Sequence, residues 1–179
     1  MSLYVVRHGQ THWNKEGKIQ GSTDIELNET GIEQAKSLKE ELKDKDIDLA
    51  ICSTLKRAMK TAELATEGLG IPIIYDDAIV ERNFGILEGK IPTGDEFEHH
   101  FNYYKDNLDP TIESMHHIVD RVWGFLDRIK EKYKSKNILL VTHGGVIREI
   151  DAYFNGGIPK DGHLPHIGVN NCEIIKYEF

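Results

Sequence analysis

Four stretches place a cation, an imidazole or a carboxyl just behind an apolar run. Val6 leads into Arg7-His8-Gly9, Cys52 into Ser53 and Arg57, Tyr75 towards Glu81, and Thr142 into His143-Gly144-Gly145. A guanidinium offers a planar fork of N–H donors that fits tetrahedral oxyanions, and an imidazole changes protonation near neutral pH. Arg7, Arg57, His8 and His143, brought to one rim, would make a pocket for a phosphate dianion. The glycines at 9, 144 and 145 would let a ligand approach backbone N–H groups, and a helix starting near Gly145 would add the positive end of its dipole. Singly, each Arg or His reads as a solvated or hydrogen-bonded core group. Their common position behind a strand reverses that reading.

The elements that must position them follow from periodicity. Leu3–Val6, Asp48–Cys52, Ile71–Tyr75 and Asn137–Thr142 are short apolar runs bounded by polar residues or Gly, the pattern of buried strands. Between them, Asn28 reads as the N-cap of a helix with Ile32, Ala35, Leu38 and Leu42 on one face. A second helix runs from about Leu55, with Ser53 as its expected cap and Gly68 and Gly70 as stops. A third covers roughly Ser114–Tyr133, with Val119, Val122, Phe125, Leu126 and Ile129 facing inward. The alternation predicts a three-layer α/β/α sandwich around a mainly parallel sheet, with Cys172–Phe179 adding a strand. Ligands bind beyond the carboxyl ends of strands in such sheets.

Length and charge set further bounds. The chain has 179 residues, 39% hydrophobic and 29% charged, which fits one globular domain over 1–179. A net charge of −8 and the lack of a basic run argue against a nucleic-acid partner, so an anionic ligand needs a local cationic cluster. The apolar runs are too short to span a bilayer and the N-terminus lacks a signal-peptide pattern, so a cytoplasmic protein without a membrane partner is expected. Cys52 and Cys172 read as reduced, buried thiols. The pairs His99-His100 and His116-His117 lack metal-ligand spacing, so neither metal nor cofactor is expected. Oligomeric state is not legible.

The stretches "VVRHGQTHWN", "QGSTDIELNETGIEQA", "STLKRAMKTAELA", "ERNFGILEG" and "LLVTHGGVIRE" together resemble the histidine phosphatases, a family that includes the cofactor-dependent phosphoglycerate mutases. The resemblance implies a phosphoglycerate mutase-like fold and a metal-independent, histidine acid phosphatase-type phosphomonoesterase. His8 would attack phosphorus; spacing alone does not choose between His8 and His143. Arg7 and Arg57 would clamp the phosphoryl oxygens, and His143 would donate to them. Glu81 would protonate the leaving oxygen, a role that needs burial or the substrate's charge to hold its proton. Asn14, Gln20, Gly21 and Gly144 would contact substrate. Trp13 reads as packing beneath the loop. Without the "ERNFG" context, Glu81 would read as a surface partner of Arg82.

A mutase must also hold a second anionic group. The family's mutase signature puts Lys three residues beyond the second glycine of "FGxxxG", where this chain has Pro92, although Lys90 is near. Residues 88–117 form an irregular excursion expected to cover the site. From Gly89 to His117, Lys90 and Lys105 stand against Asp95, Glu96, Glu98, Asp106, Asp109 and Glu113, a balance that would repel a second phosphate. The favoured reading is therefore hydrolysis of a small phosphorylated metabolite, with Phe97, Phe101, Tyr103 and Tyr104 as candidate wall residues. A phosphoglycerate mutase is the enzymatic alternative. A phosphate-binding module without turnover is the other, and the joint presence of His8, Glu81 and His143 speaks against it.

Overall fold

The structure, a computed structural model, describes residues 1–93, 97, 99–164 and 166–179. The strands are β1 (Ser2–Arg7), β2 (Leu49–Cys52), β3 (Ile73–Tyr75), β4 (Ile138–Thr142) and β5 (Ile174–Glu178). The helices are α1 (His12–Glu16), α2 (Glu29–Leu42), α3 (Lys56–Thr66), α4 (Met115–Lys132) and α5 (Gly144–Phe154). One sheet runs β3-β2-β4-β1-β5, parallel except for β5, which pairs antiparallel with β1.

The sheet is covered on both faces. Alternate residues of β4 serve opposite layers: Ile138 and Leu140 pack with the inward face of α4 and with α5, while Leu139 and Val141 pack with Ala35 and Leu38 of α2 and Ala58 and Ala62 of α3. That explains why β4 is apolar throughout and fully buried. Asn28 caps α2, its side chain accepting from Gly31 N at 2.9 Å, and Ser114 likewise caps α4 by accepting from His117 N. A smaller cluster of Ile19, Phe84 and Ile112, joined by Leu87, Phe97 and Phe101, sits beside the main layers.

Register brings the strand ends together. Arg7 lies opposite Thr142, so the next residues on these two neighbouring strands are His8 and His143. Cys52 lies opposite Val141, which sets Ser53 one step short of His143 on the other side of β4. Three segments more than forty residues apart in sequence thus end on one rim.

Ser53 does not cap α3. Leu55 occupies the N-cap position and makes no side-chain cap bond; Asp24 instead receives the Lys56 N–H at 2.8 Å. The Ser53 hydroxyl has been diverted to the site.

Candidate active site

The pocket beyond the strand ends is a cavity of about 280 Å³ lined by Arg7, His8, Arg57, Glu81 and Gly144, with Asn14, Gln20 and Gly21 beside them. It therefore gathers the residues expected from sequence at one place, except for His143, which is fully buried just behind the lining. A cavity of this size admits a phosphoryl group and a small leaving group.

The histidines are fixed with defined edges. His8 is 3% exposed, and its Nδ1 lies 2.7 Å from the Gly9 carbonyl, which only accepts, so the proton is on Nδ1 and Nε2 is the unprotonated acceptor. Arg57 Nε donates to His8 Nε2 at 3.2 Å and to His143 Nδ1 at 3.3 Å. His143 Nε2 lies 2.7 Å from the Ser53 hydroxyl. Burial, and after it the charge of Arg57, pushes the pKa of both imidazoles well below the ordinary value, so both are neutral in the empty pocket.

The guanidiniums are held through carbonyls rather than carboxylates. Arg57 is fully buried and donates through Nη1 to Thr23 O at 2.8 Å and through Nη2 to Gly21 O at 2.7 Å. Arg7 donates to Val169 O at 2.8 Å, and its buried Nε has no partner. Among the described residues neither arginine makes an ion pair. Burial lowers the pKa of both, that of Arg57 to about 10, which leaves them charged at neutral pH. Two desolvated cations with no ion-pair partner among the described residues favour an anion between them.

Glu81 is not paired with the Arg82 side chain. Its carboxylate accepts from the backbone N–H groups of Arg82 at 2.9 Å and Gly145 at 3.0 Å, seated at the N-terminus of α5. The glycines of this region serve packing more than ligand access. A Cβ on Gly145 would lie 2.3 Å from Glu81 Oε1, and one on Gly9 would lie 2.6 Å from Gly31 O. The Gly9 N–H is already donated to Thr61 Oγ1 at 2.9 Å.

Asn14 closes a capping box with Thr11, and Gln20 Oε1 accepts from Thr11 Oγ1 at 3.0 Å, so both amides are oriented by α1. Trp13 packs under the loop as expected, its ring 3.1 Å from a Cβ built at Gly89. Phe97 and Phe101 line the pocket with Phe84. Tyr103 instead packs against the main core, and Tyr104 is 62% exposed, so neither forms the wall. Of the residues in the acidic count, Asp95, Glu96 and Glu98 lie outside the described residues. Lys90 lines an adjoining depression with Leu87 and Pro92, which shares Ile19 and Phe97 with the pocket. Among the described residues no cluster of three or more His, Cys, Asp or Glu could hold a metal ion.

A model of the histidine phosphatase superfamily, branch 1, matches residues 3–179. The chain belongs to this superfamily. Over 89% of its length it is 39% identical to the Bacillus subtilis protein named uncharacterized phosphatase PhoE, covering 80% of it. The structure of YhfR from Bacillus stearothermophilus superposes with a TM-score of 0.86 at 29% identity, over 99% of this chain and 90% of that one. Phosphoserine phosphatase from Entamoeba histolytica, in complex with 3-phosphoglyceric acid, gives a TM-score of 0.85 at 26% identity, over 99% and 90%.

Three contributors to this histidine phosphatase pocket escape a reading of the sequence. Arg148 lines the wall with its guanidinium 4.7 Å from the Phe101 ring and against His166; its spacing of four from Gly144 on α5 is the available signal. Glu88 accepts from Ser22 N at 2.8 Å, Thr23 N at 2.9 Å and Phe84 N at 3.0 Å, tying the Gly21 loop to the aromatic wall. No local pattern announces contacts some sixty residues away. Arg82 is 1% exposed and donates to Glu113 O at 2.8 Å, His100 O at 2.6 Å and Asn107 Oδ1 at 3.1 Å.

Proposed function

We propose that this protein is a metal-independent phosphatase that hydrolyses a small phosphomonoester through a phosphohistidine, in one domain whose residues 88–117 cover the site. The observation that carries the reading is His8 Nε2, unprotonated and accepting from the buried guanidinium of Arg57, with Arg7 lining the same pocket and neither arginine in an ion pair among the described residues.

In the first step His8 Nε2 attacks phosphorus as the P–O bond to the alcohol breaks, and Glu81 gives its proton to the departing oxygen. Arg7 and Arg57 bind the equatorial oxygens, and His143 donates to them as charge develops. Water then attacks phosphorus, passes a proton to Glu81, and the N–P bond breaks to release phosphate. The negative phosphoryl group restores proton affinity to His143, while His8 attacks through its unprotonated Nε2. Asn14, Gln20, Gly21 and Gly144 flank the phosphate.

The leaving group would rest on Phe84, Phe97 and Phe101, with Arg148 at the edge. Relatives named as phosphatases, including the one crystallised with 3-phosphoglyceric acid, support a small phosphorylated metabolite as substrate. Pro92 at the mutase lysine position, with Lys90 outside the pocket lining, favours hydrolysis over transfer.

The test is release of inorganic phosphate from a panel of phosphomonoesters with and without chelator. Wild type should release phosphate equally in both, and His8→Ala should release none. Loss of release with chelator would overturn the metal-independent route, and conversion of 3- to 2-phosphoglycerate without phosphate release would replace hydrolysis by transfer.

A further inference from the structure

The Ser53 hydroxyl is fully buried at the end of β2, beside the strand that ends in His143. Its oxygen lies 2.7 Å from His143 Nε2, whereas the Leu55 N–H reaches it only at 3.4 Å. Ser53 does not cap α3: Leu55 holds the N-cap position, and the first helical N–H, that of Lys56, is taken by Asp24. A residue type and position suited to capping has been committed to an imidazole instead.

The consequence lies on the opposite edge of that ring. His143 Nδ1 accepts from Arg57 Nε, the same N–H that reaches His8 Nε2, so Nδ1 is the edge turned to the phosphoryl site. Nδ1 is thus an acceptor, and the ring proton is on Nε2, donated to Ser53. A lone pair at Nδ1 would repel a phosphoryl oxygen. The ring must therefore carry a second proton, on Nδ1, when the substrate is in place.

We propose that Ser53 is a positioning residue for His143: its hydroxyl accepts the Nε2–H, so that the doubly protonated ring presents Nδ1–H to the phosphoryl oxygens. This rests on the phosphatase reading above. The proton comes from the substrate monoanion, whose P–O–H breaks as the Nδ1–H bond forms, leaving a phosphoryl dianion beside an imidazolium. The second ionisation of a phosphomonoester lies near pH ~6, so this donor is available close to neutrality. The charged groups facing the ring are Arg7 and His8 from β1 and its extension, Arg57 from α3 and Arg121 from α4. Since the arginines oppose the imidazolium, it forms only with the phosphoryl anion present.

Ser53→Ala should lower kcat on the order of 10²-fold, with KM within about threefold and the melting temperature nearly unchanged, because binding by the arginines persists. Ser53→Thr, which keeps the hydroxyl, should recover most of kcat. Nitrogen-15 NMR of wild type saturated with inorganic phosphate should show both ring nitrogens of His143 protonated, and in the free protein Nε2 alone. A Ser53→Ala kcat within about twofold of wild type would overturn the proposal, as would an unprotonated Nδ1 in the phosphate complex. The NMR arm stands if a variant fails to fold. Absence of all phosphatase activity in wild type would instead defeat the underlying reading.

Discussion

The two ends of the pocket are built differently. At the phosphate end, Arg7, His8, Ser53 and His143 emerge from adjacent strands in register, and all but Arg7 are nearly or fully buried. At the leaving-group end, Phe84, Phe97 and Phe101 join a small cluster with Ile19 and Ile112 that lies outside the sheet. The first is fixed by the sheet, and the second is tied to the body chiefly through Arg82 and Glu88. Such a division keeps the chemistry constant while the alcohol-binding wall is open to change.

The largest effect should come from the rigid end. Arg57→Lys keeps a positive charge but loses the fork that holds the Gly21 and Thr23 carbonyls and both imidazoles, so kcat/KM should fall about 10²–10³-fold for every substrate alike. Substrate-dependent losses would show that the two ends are not separable.

Arg82→Met should act on the other end. It leaves the carbonyls of His100 and Glu113 without their guanidinium, at roughly 2–4 kcal/mol, and lowers the melting temperature by roughly 5–10 °C. KM should rise about tenfold for substrates with an apolar alcohol and less for those with a small one, while kcat stays within a few-fold. Steady-state kinetics across alcohols of graded size, with a thermal melt, check both.

A third, smaller effect belongs to neither end. Glu149 of α5 is 2% exposed and its Oε2 has no hydrogen-bond partner. Burial, with the charge of Glu81 adding to it, pushes its pKa up to about 8. The folded state therefore holds a proton that the unfolded chain releases above about pH 4.5, so stability falls as pH rises from there to about 8. Glu149→Gln should remove this slope, gaining on the order of 1–3 kcal/mol at pH 8 relative to pH 5 in denaturant titrations.

The same contrast explains what was legible in the sequence. Strand ends announce themselves, because an apolar run that stops at Arg7-His8 or His143 fixes both the element and the direction of the next side chains. The rim of Arg7, His8, Arg57 and His143 is readable for that reason, as are the sandwich and the Asn28 cap, whereas Glu81 is readable only through the resemblance of "ERNFG". Ser53 was misread because a serine before a helix looks the same whether it caps or supports a histidine; only the register of β2 against β4 distinguishes them. Nothing local announces that Arg82 is buried, and Tyr103 and Tyr104 read equally as wall or as packing, because irregular chain has no period from which to infer which side faces inward. Gly9 and Gly145 read as ligand contacts but pack against Gly31 O and Glu81, contacts that depend on distant segments, while Gly144 lines the pocket.

The central claim is a phosphoryl group carried by His8. Rapid quenching during turnover of a ³²P-labelled phosphomonoester, followed by peptide mapping, should find an acid-labile, base-stable phosphoryl group on Nε2 of His8 that is absent from His8→Ala. Label recovered on His143 or on Ser53, or continued turnover by His8→Ala, would contradict it.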